Sequence, residues 1–173
     1  MRRFLTILVG LILILTAVAY LLPREVTITR QTTIAAPPAK IFPLVNSLKT
    51  ASTWSPWMAK DPAISVTYDG AAAGVGARMA WTSTVLGDGT QEITASTVDA
   101  AVDSTLTFGG MAPAMARFAL TPAGDGTQVT WSITSDMGLN PIGRWMGLLM
   151  LDRWIGPDFE AGLANLKSLV ETG

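Results

Sequence analysis

The segment from Asn140 to Glu171 limits the fold more than any other part of the chain. Ile142, Trp145, Met146, Leu149, Ile155, Phe159, Leu163, Leu166 and Val170 recur there at spacings of mostly three or four, the period of a helix with one apolar face. Asn140-Pro141 opens it with a capping residue and a proline suited to a first helical turn. Arg144, Asp152, Arg153, Asp158, Glu160, Lys167 and Glu171 interrupt the apolar positions, so the pattern is that of a packing helix and not of a membrane span. Gly156-Pro157 in its middle predicts a kink or a break. Such a helix needs a broad apolar surface to lie on.

The residues before it supply that surface. Val26, Ile28, Arg30, Thr32 and Ile34 alternate with Thr27, Thr29, Gln31 and Thr33, a β-branched strand pattern. Ala35-Ala36-Pro37-Pro38 ends it, and Ile41, Phe42, Leu44, Val45 and Leu48 then give a short helix its apolar face, with Pro43 near the start. Trp54-Ser55-Pro56-Trp57 and Asp61-Pro62 read as a rigid aromatic loop. Alternating runs come next at Ile64–Tyr68, at Met79 and Trp81, at Ile93 and Ala95, at Val102, Leu106 and Phe108, at Phe118 and Leu120, and at Val129, Trp131 and Ile133. Gly70 to Gly76, Gly87-Asp88-Gly89 and Gly124-Asp125-Gly126 separate them as turns. Clean alternation predicts an antiparallel sheet with one apolar and one hydroxyl-rich face, with Arg78 and Arg117 outward. The class is α+β, in one domain.

The first residues stand apart from this pattern. Phe4 to Leu22 carries no charge and is rich in Leu, Ile and Val, about the ~20 residues that cross the hydrocarbon core as a helix. Arg2 and Arg3 precede it, which holds the N-terminus in the cytoplasm and exports the remainder of the chain. Residues 1–23 are therefore read as a single-pass anchor in the inner (cytoplasmic) membrane, and residues 24–173 as an extracytoplasmic domain. Ala17-Val18-Ala19 also fits the cleavage site of a secretory signal. The apolar run continues past it through Tyr20, Leu21 and Leu22, which favours a retained anchor.

Composition narrows the chemistry. The chain has no histidine and no cysteine, and a net charge of −1. Imidazole and thiolate catalysis, Cys or His metal ligation and disulfides are all excluded. No basic run offers a nucleic-acid surface, and no spaced Asp/Glu cluster suggests a carboxylate metal site. Neither a metal nor a cofactor is expected.

Ile34-Ala35-Ala36-Pro37-Pro38-Ala39-Lys40-Ile41-Phe42, Trp54-Ser55-Pro56-Trp57 with Asp61-Pro62, and Gly74-Val75-Gly76-Ala77 together resemble the SRPBCC superfamily, and within it the polyketide cyclase/dehydrase and lipid-transport branch. Gly126-Thr127-Gln128-Val129-Thr130-Trp131 and Gly162-Leu163-Ala164-Asn165-Leu166-Lys167 extend the likeness to the C-terminal helix. The resemblance covers about residues 24–173. It implies a helix-grip (START/Bet v 1-like) fold, with a seven-stranded antiparallel sheet wrapped around a long C-terminal helix and a hydrophobic cavity between them. It does not imply a reaction, because the superfamily holds binders, transporters and a few enzymes.

On that basis Met79, Trp81, Ile93, Leu106, Phe118 and Trp131 are expected to line a cavity facing Trp145, Leu149 and Phe159, with Trp57 at its mouth. Ala95 and Gly147 would leave room, and a volume of roughly 300–1,000 Å³ is typical of ligand sites. The alternative is that these side chains simply fill the core, with Trp54 and Trp57 as wedges between a short helix and the sheet. Asp61, Asp69, Asp88 and Asp136 fall at turns, where Asp bonds local backbone; Asp152 and Asp158 flank the helix break. The function expected is membrane-anchored binding or transport of a hydrophobic small molecule or lipid. The alternatives are a cyclase or dehydrase that shapes a reactive ligand, and a packed interaction domain without one.

Overall fold

The alternating runs all become strands. The computed structural model describes residues 1–109 and 112–172, so the expected domain end at position 173 lies outside the described residues. Strands β1 (Glu25–Ile34), β2 (Ser65–Gly70), β3 (Ala77–Thr82), β4 (Gly89–Thr97), β5 (Ala101–Phe108), β6 (Ala114–Ala123) and β7 (Gly126–Asp136) make one seven-stranded antiparallel sheet in the order β1-β7-β6-β5-β4-β3-β2. Strands β2 to β7 are a meander, and β1 crosses over to pair with β7 from Glu25↔Asp136 to Ile34↔Thr127. The helices are α1 (Arg2–Ala19), α2 (Pro38–Val45), α3 (Leu48–Ala51), α4 (Pro56–Lys60), α5 (Pro141–Leu149) and α6 (Leu151–Thr172). This is the expected helix-grip arrangement of a sheet and a long C-terminal helix.

The core lies on one face of the sheet. Ile34, Ile93 and Val129 from the strands meet Ile41 from α2 and Phe159 and Leu166 from α6, all fully buried. On the other face Arg78 pairs with Glu92 and Arg117 with Asp103, as the alternation requires. One strand departs from its pattern. The β4–β5 register shifts between Ile93 and Ala95, so this bulge turns Ala95 to the exposed outer face and Ser96 inward. Ala95 therefore leaves no room in the interior.

The long C-terminal segment does break, but at Met150 and not at Gly156-Pro157. Met150 takes φ −120° and ψ −30°, and α6 runs through Pro157 without interruption. Pro157 and Arg153, four residues earlier, are both exposed, so water can meet the carbonyl that the proline leaves unbonded. Gly156 has a different use. Arg30 of β1 points inward, and its guanidinium crosses α6 there to Asp152 (2.9 Å) and Glu160 (2.6 Å). A β-carbon on Gly156 would lie 2.2 Å from Arg30 Nη2.

Two further glycines set how closely the helices pack. A β-carbon on Gly147 would meet Met137 Cγ at 2.9 Å and Val26 Cγ2 at 3.1 Å. Gly147 thus seats α5 on the start of β1, and the space expected beside it is filled. On Gly162 it would fall 2.8 Å from the Trp131 ring and 3.2 Å from Pro56 Cδ. That ring is held by neighbours on all its contacts and cannot step aside. Gly162→Leu is expected to lose about 1–3 kcal/mol of stability by overpacking, read as a fall in melting temperature.

Candidate functional site

The middle of the concave face is built on Trp131. From β7 its indole stacks on Phe159 of α6 (centroids 3.9 Å, planes 4° apart) and on Phe118 of the neighbouring strand (4.8 Å, 25°). Trp54 and Trp57 meet it edge-on at 5.7 and 5.6 Å. Their own N–H groups are satisfied, Trp54 Nε1 by the Leu44 carbonyl and Trp57 Nε1 by Asp158 Oδ2. Trp54 and Trp57 are thus wedges between α4 and the sheet. The enclosed cavity expected at this point is occupied by these five rings.

Beyond β7 the concave face is less covered. α6 makes its main sheet contacts with β1 and β7, while the short helices α2 and α3 lie against β6 and β3. Met79, Trp81, Leu106, Phe108 and Phe118, on the inner side of β3, β5 and β6, are only half-buried. Trp81 does not stand up from the sheet. Its indole lies across Gly89 of β4, where a β-carbon would come within 2.2 Å of the ring, and meets Phe108 edge-on at 5.7 Å. A glycine in a strand permits that approach. Gln91 Nε2 donates to Ser104 Oγ (2.9 Å) on the same face. This pair was legible in the alternation, two residues before Ile93 and two before Leu106, but apolar periodicity alone passes over it.

The sequence-derived residues divide accordingly. Met79, Trp81 and Leu106 share the less covered part, while Trp57, Phe118, Trp131 and Phe159 form the filled part and Ile93 is buried beneath. Trp145 and Leu149 belong to neither. The break at Met150 takes α5 off the concave face, onto the start of β1 and the end of α1, leaving Leu149 exposed and Trp145 against α1, where its Nε1 donates to the Leu15 carbonyl. Two surface recesses, of about 200 Å³ beside Thr50, Tyr68 and Ala72 and about 590 Å³ beside Ser52, Met58 and Leu169, lie off the concave face.

Carboxylates serve structure here. Asp61 is buried and accepts from Ser83 Oγ (2.6 Å) and the Ala63 N–H (3.0 Å), a turn role. Asp158 pairs with Lys60, and Asp152 with Arg30; the hydrogen bond from Arg30 holds the Asp152 carboxyl below its ordinary range. Among the described residues no three His, Cys, Asp or Glu side chains come together to hold a metal ion.

A curved antiparallel sheet that grips a C-terminal helix and presents a partly open apolar face defines the helix-grip class. Residues 25–171 match the model of the polyketide cyclase/dehydrase and lipid transport family, and the chain belongs to that family, within the SRPBCC superfamily. Among solved structures it is similar to Ara h 8.0201 (18% identity, TM-score 0.62, covering 86% of this chain and 99% of that one). It is also similar to the Aha1 dimer from Colwellia psychrerythraea (20%, 0.61, 86% and 98%) and to the KanY protein (16%, 0.63, 85% and 98%). At such identities the likeness is one of fold. None of the curated proteins matches the chain.

The sheet end nearest α1 carries a bidentate ion pair. Arg24 Nε and Nη2 donate to both oxygens of Asp136, at 2.8 and 2.6 Å, and the Gly138 N–H adds a third bond at 2.7 Å. Arg24 above all, then Gly138, lowers the Asp136 pKa from 3.8 to about 2. A depressed carboxylate contributes stability that is fully present above its unfolded value and is lost as pH falls through the folded one. Asp136→Asn should therefore melt lower than the parent by a constant margin above pH about 4. That margin should shrink toward pH 2, in melting curves recorded from pH 2 to 6.

Proposed function

We propose that the domain binds a hydrophobic small molecule or lipid on the open part of its concave face, and that α1 anchors it in the cytoplasmic membrane with the domain outside. The observation that carries the first half is the half-buried apolar surface of Met79, Trp81, Leu106 and Phe108, which α6 does not cover. Apolar lining with a few polar groups is the usual character of small-molecule sites, and Gln91 with Ser104 supplies the polar element. Family membership supports the reading, since lipid transport is part of the family's description. For the anchor, α1 runs from Arg2 to Ala19 with exposed large apolar side chains along its length.

The filled aromatic centre around Trp131 favours a second reading, a packed domain without ligand. Native mass spectrometry on the fragment from Arg24 to Gly173 separates the two. A bound ligand shows as a co-purifying mass, and an apolar fluorescent probe should bind with an affinity that Trp81→Ala lowers several-fold and Trp145→Ala leaves unchanged. Equal affinities in parent and Trp81→Ala, or no binding, would leave only the packed domain. For the anchor, protease added to spheroplasts should digest the domain, and the undigested chain should sediment with membranes. A soluble mature form beginning at Tyr20 would instead mark a cleaved signal.

A further inference from the structure

Helix α5 places its side chains in the opposite sense to a helix in water. Its inward positions are Arg144, 7% exposed, and Gly147. Its outward stripe is Ile142, Met146 and Leu149, which are 70%, 44% and 56% exposed, at the i, i+4, i+7 spacing of one helical face. Leu139 before the helix, Leu148 on it and Trp154 after it enlarge the patch, each at least half exposed. No Asp or Glu occurs from Met137 to Leu151, and the one charged side chain is the inward Arg144.

What Arg144 does inside explains the inversion. Its Nη1 donates to the carbonyls of Ala19 (3.4 Å), Tyr20 (3.1 Å) and Leu22 (3.2 Å), and its Nε to Gly138 (3.0 Å). The last carbonyls of a helix have no partner within it and carry the negative end of its dipole. The guanidinium thus closes the C-terminal end of α1. Trp145 holds the same turn through Leu15. Together they fix α5 beside the last turn of α1.

That position gives the apolar stripe an occupant. α1 has 18 residues, and at 1.5 Å per residue a helix of that size is about 27 Å long, close to the ~30 Å of a hydrocarbon core. Its last turn therefore lies where the chain leaves the bilayer, and α5 lies at the same level. Tyr20, under the Arg144 guanidinium, and Trp145, bonded to the Leu15 carbonyl, stand there, aromatic residues of the kind that concentrate at membrane–water boundaries.

We propose that α5 is a second membrane contact, lying in the plane of the lipid surface with Ile142, Met146 and Leu149 among the acyl chains. The proposal rests on the reading of α1 as an anchor. It also fixes the domain's orientation. Glu25 pairs with Asp136, Ser135 with Ala114, Ala114 with Leu106, and Gly89 with both Phe108 and Trp81. The open end of the concave face is therefore the end from which α1 departs, and it faces the lipid that α5 touches. A lipid-like ligand can pass between leaflet and face without crossing bulk water.

The chain has no cysteine, so single cysteines report unambiguously. Ile142→Cys, Met146→Cys, Gly10→Cys in α1 and Val98→Cys, the last 75% exposed in the turn at the opposite end of the sheet, are each labelled with a nitrobenzoxadiazole fluorophore. The full chain is then reconstituted in phosphatidylcholine and phosphatidylglycerol vesicles containing phosphatidylcholine with a shallow or a deep nitroxide. The labels at 142 and 146 should be quenched several-fold more by the shallow nitroxide than the label at 98, and the label at 10 most by the deep one. If 142 and 146 match 98 while 10 is quenched, the anchor stands and the proposal falls. If 10 is unquenched as well, both fall. Quenching at 142 and 146 without quenching at 10 keeps the surface contact and removes the transmembrane reading.

Discussion

Stacking of Trp131 on Phe159 is the contact on which the rest of the domain depends. It joins the last strand to the C-terminal helix across 3.9 Å, which is possible because Gly162 presents no side chain to the indole. Trp54 and Trp57 then close on the same ring and bring α4 with them. Aromatic pairs of this kind contribute about 0.5–1.5 kcal/mol each beyond the area they bury, and here they share one residue. A change at Trp131 would therefore loosen a strand, two helices and the α3–α4 segment together.

The same contact decides where ligand space can be. With five rings packed between β7 and α6, the helix sits at the β1–β7 side of the sheet, and the Arg30 guanidinium lying over Gly156 holds it there. The faces of β3 to β5 are left less covered. Trp81 lies flat on Gly89 there. The filled centre and the less covered flank are thus two results of one packing arrangement.

Periodicity made most of this architecture legible. Seven strands, their outward arginines and the long helix come from alternation of period two and recurrence of period three or four, because each pattern exposes one side of the backbone to a core. Ala95 escaped that logic, since a bulge costs the sequence only one residue of register. Gly156-Pro157 misled it, because a glycine that admits a guanidinium looks the same in sequence as one that ends a helix. Trp145 and Leu149 were misplaced for a related reason. A break at Met150 has no proline or glycine to announce it, and it rotates every residue before it relative to those after it.

By itself the sequence determined the class of fold, the family, the absence of imidazole and thiolate chemistry and the separateness of an uncharged first helix, all of which depend on residue type and local spacing. Only the tertiary structure decided which apolar residues fill space and which border it, because that depends on where a helix lies on a sheet. It also decided that Arg144 turns inward to the end of α1 while Ile142, Met146 and Leu149 turn outward. The apolar spacing of α5 is the same for either rotation of the helix; the carbonyls left unpaired at the end of α1 choose between them.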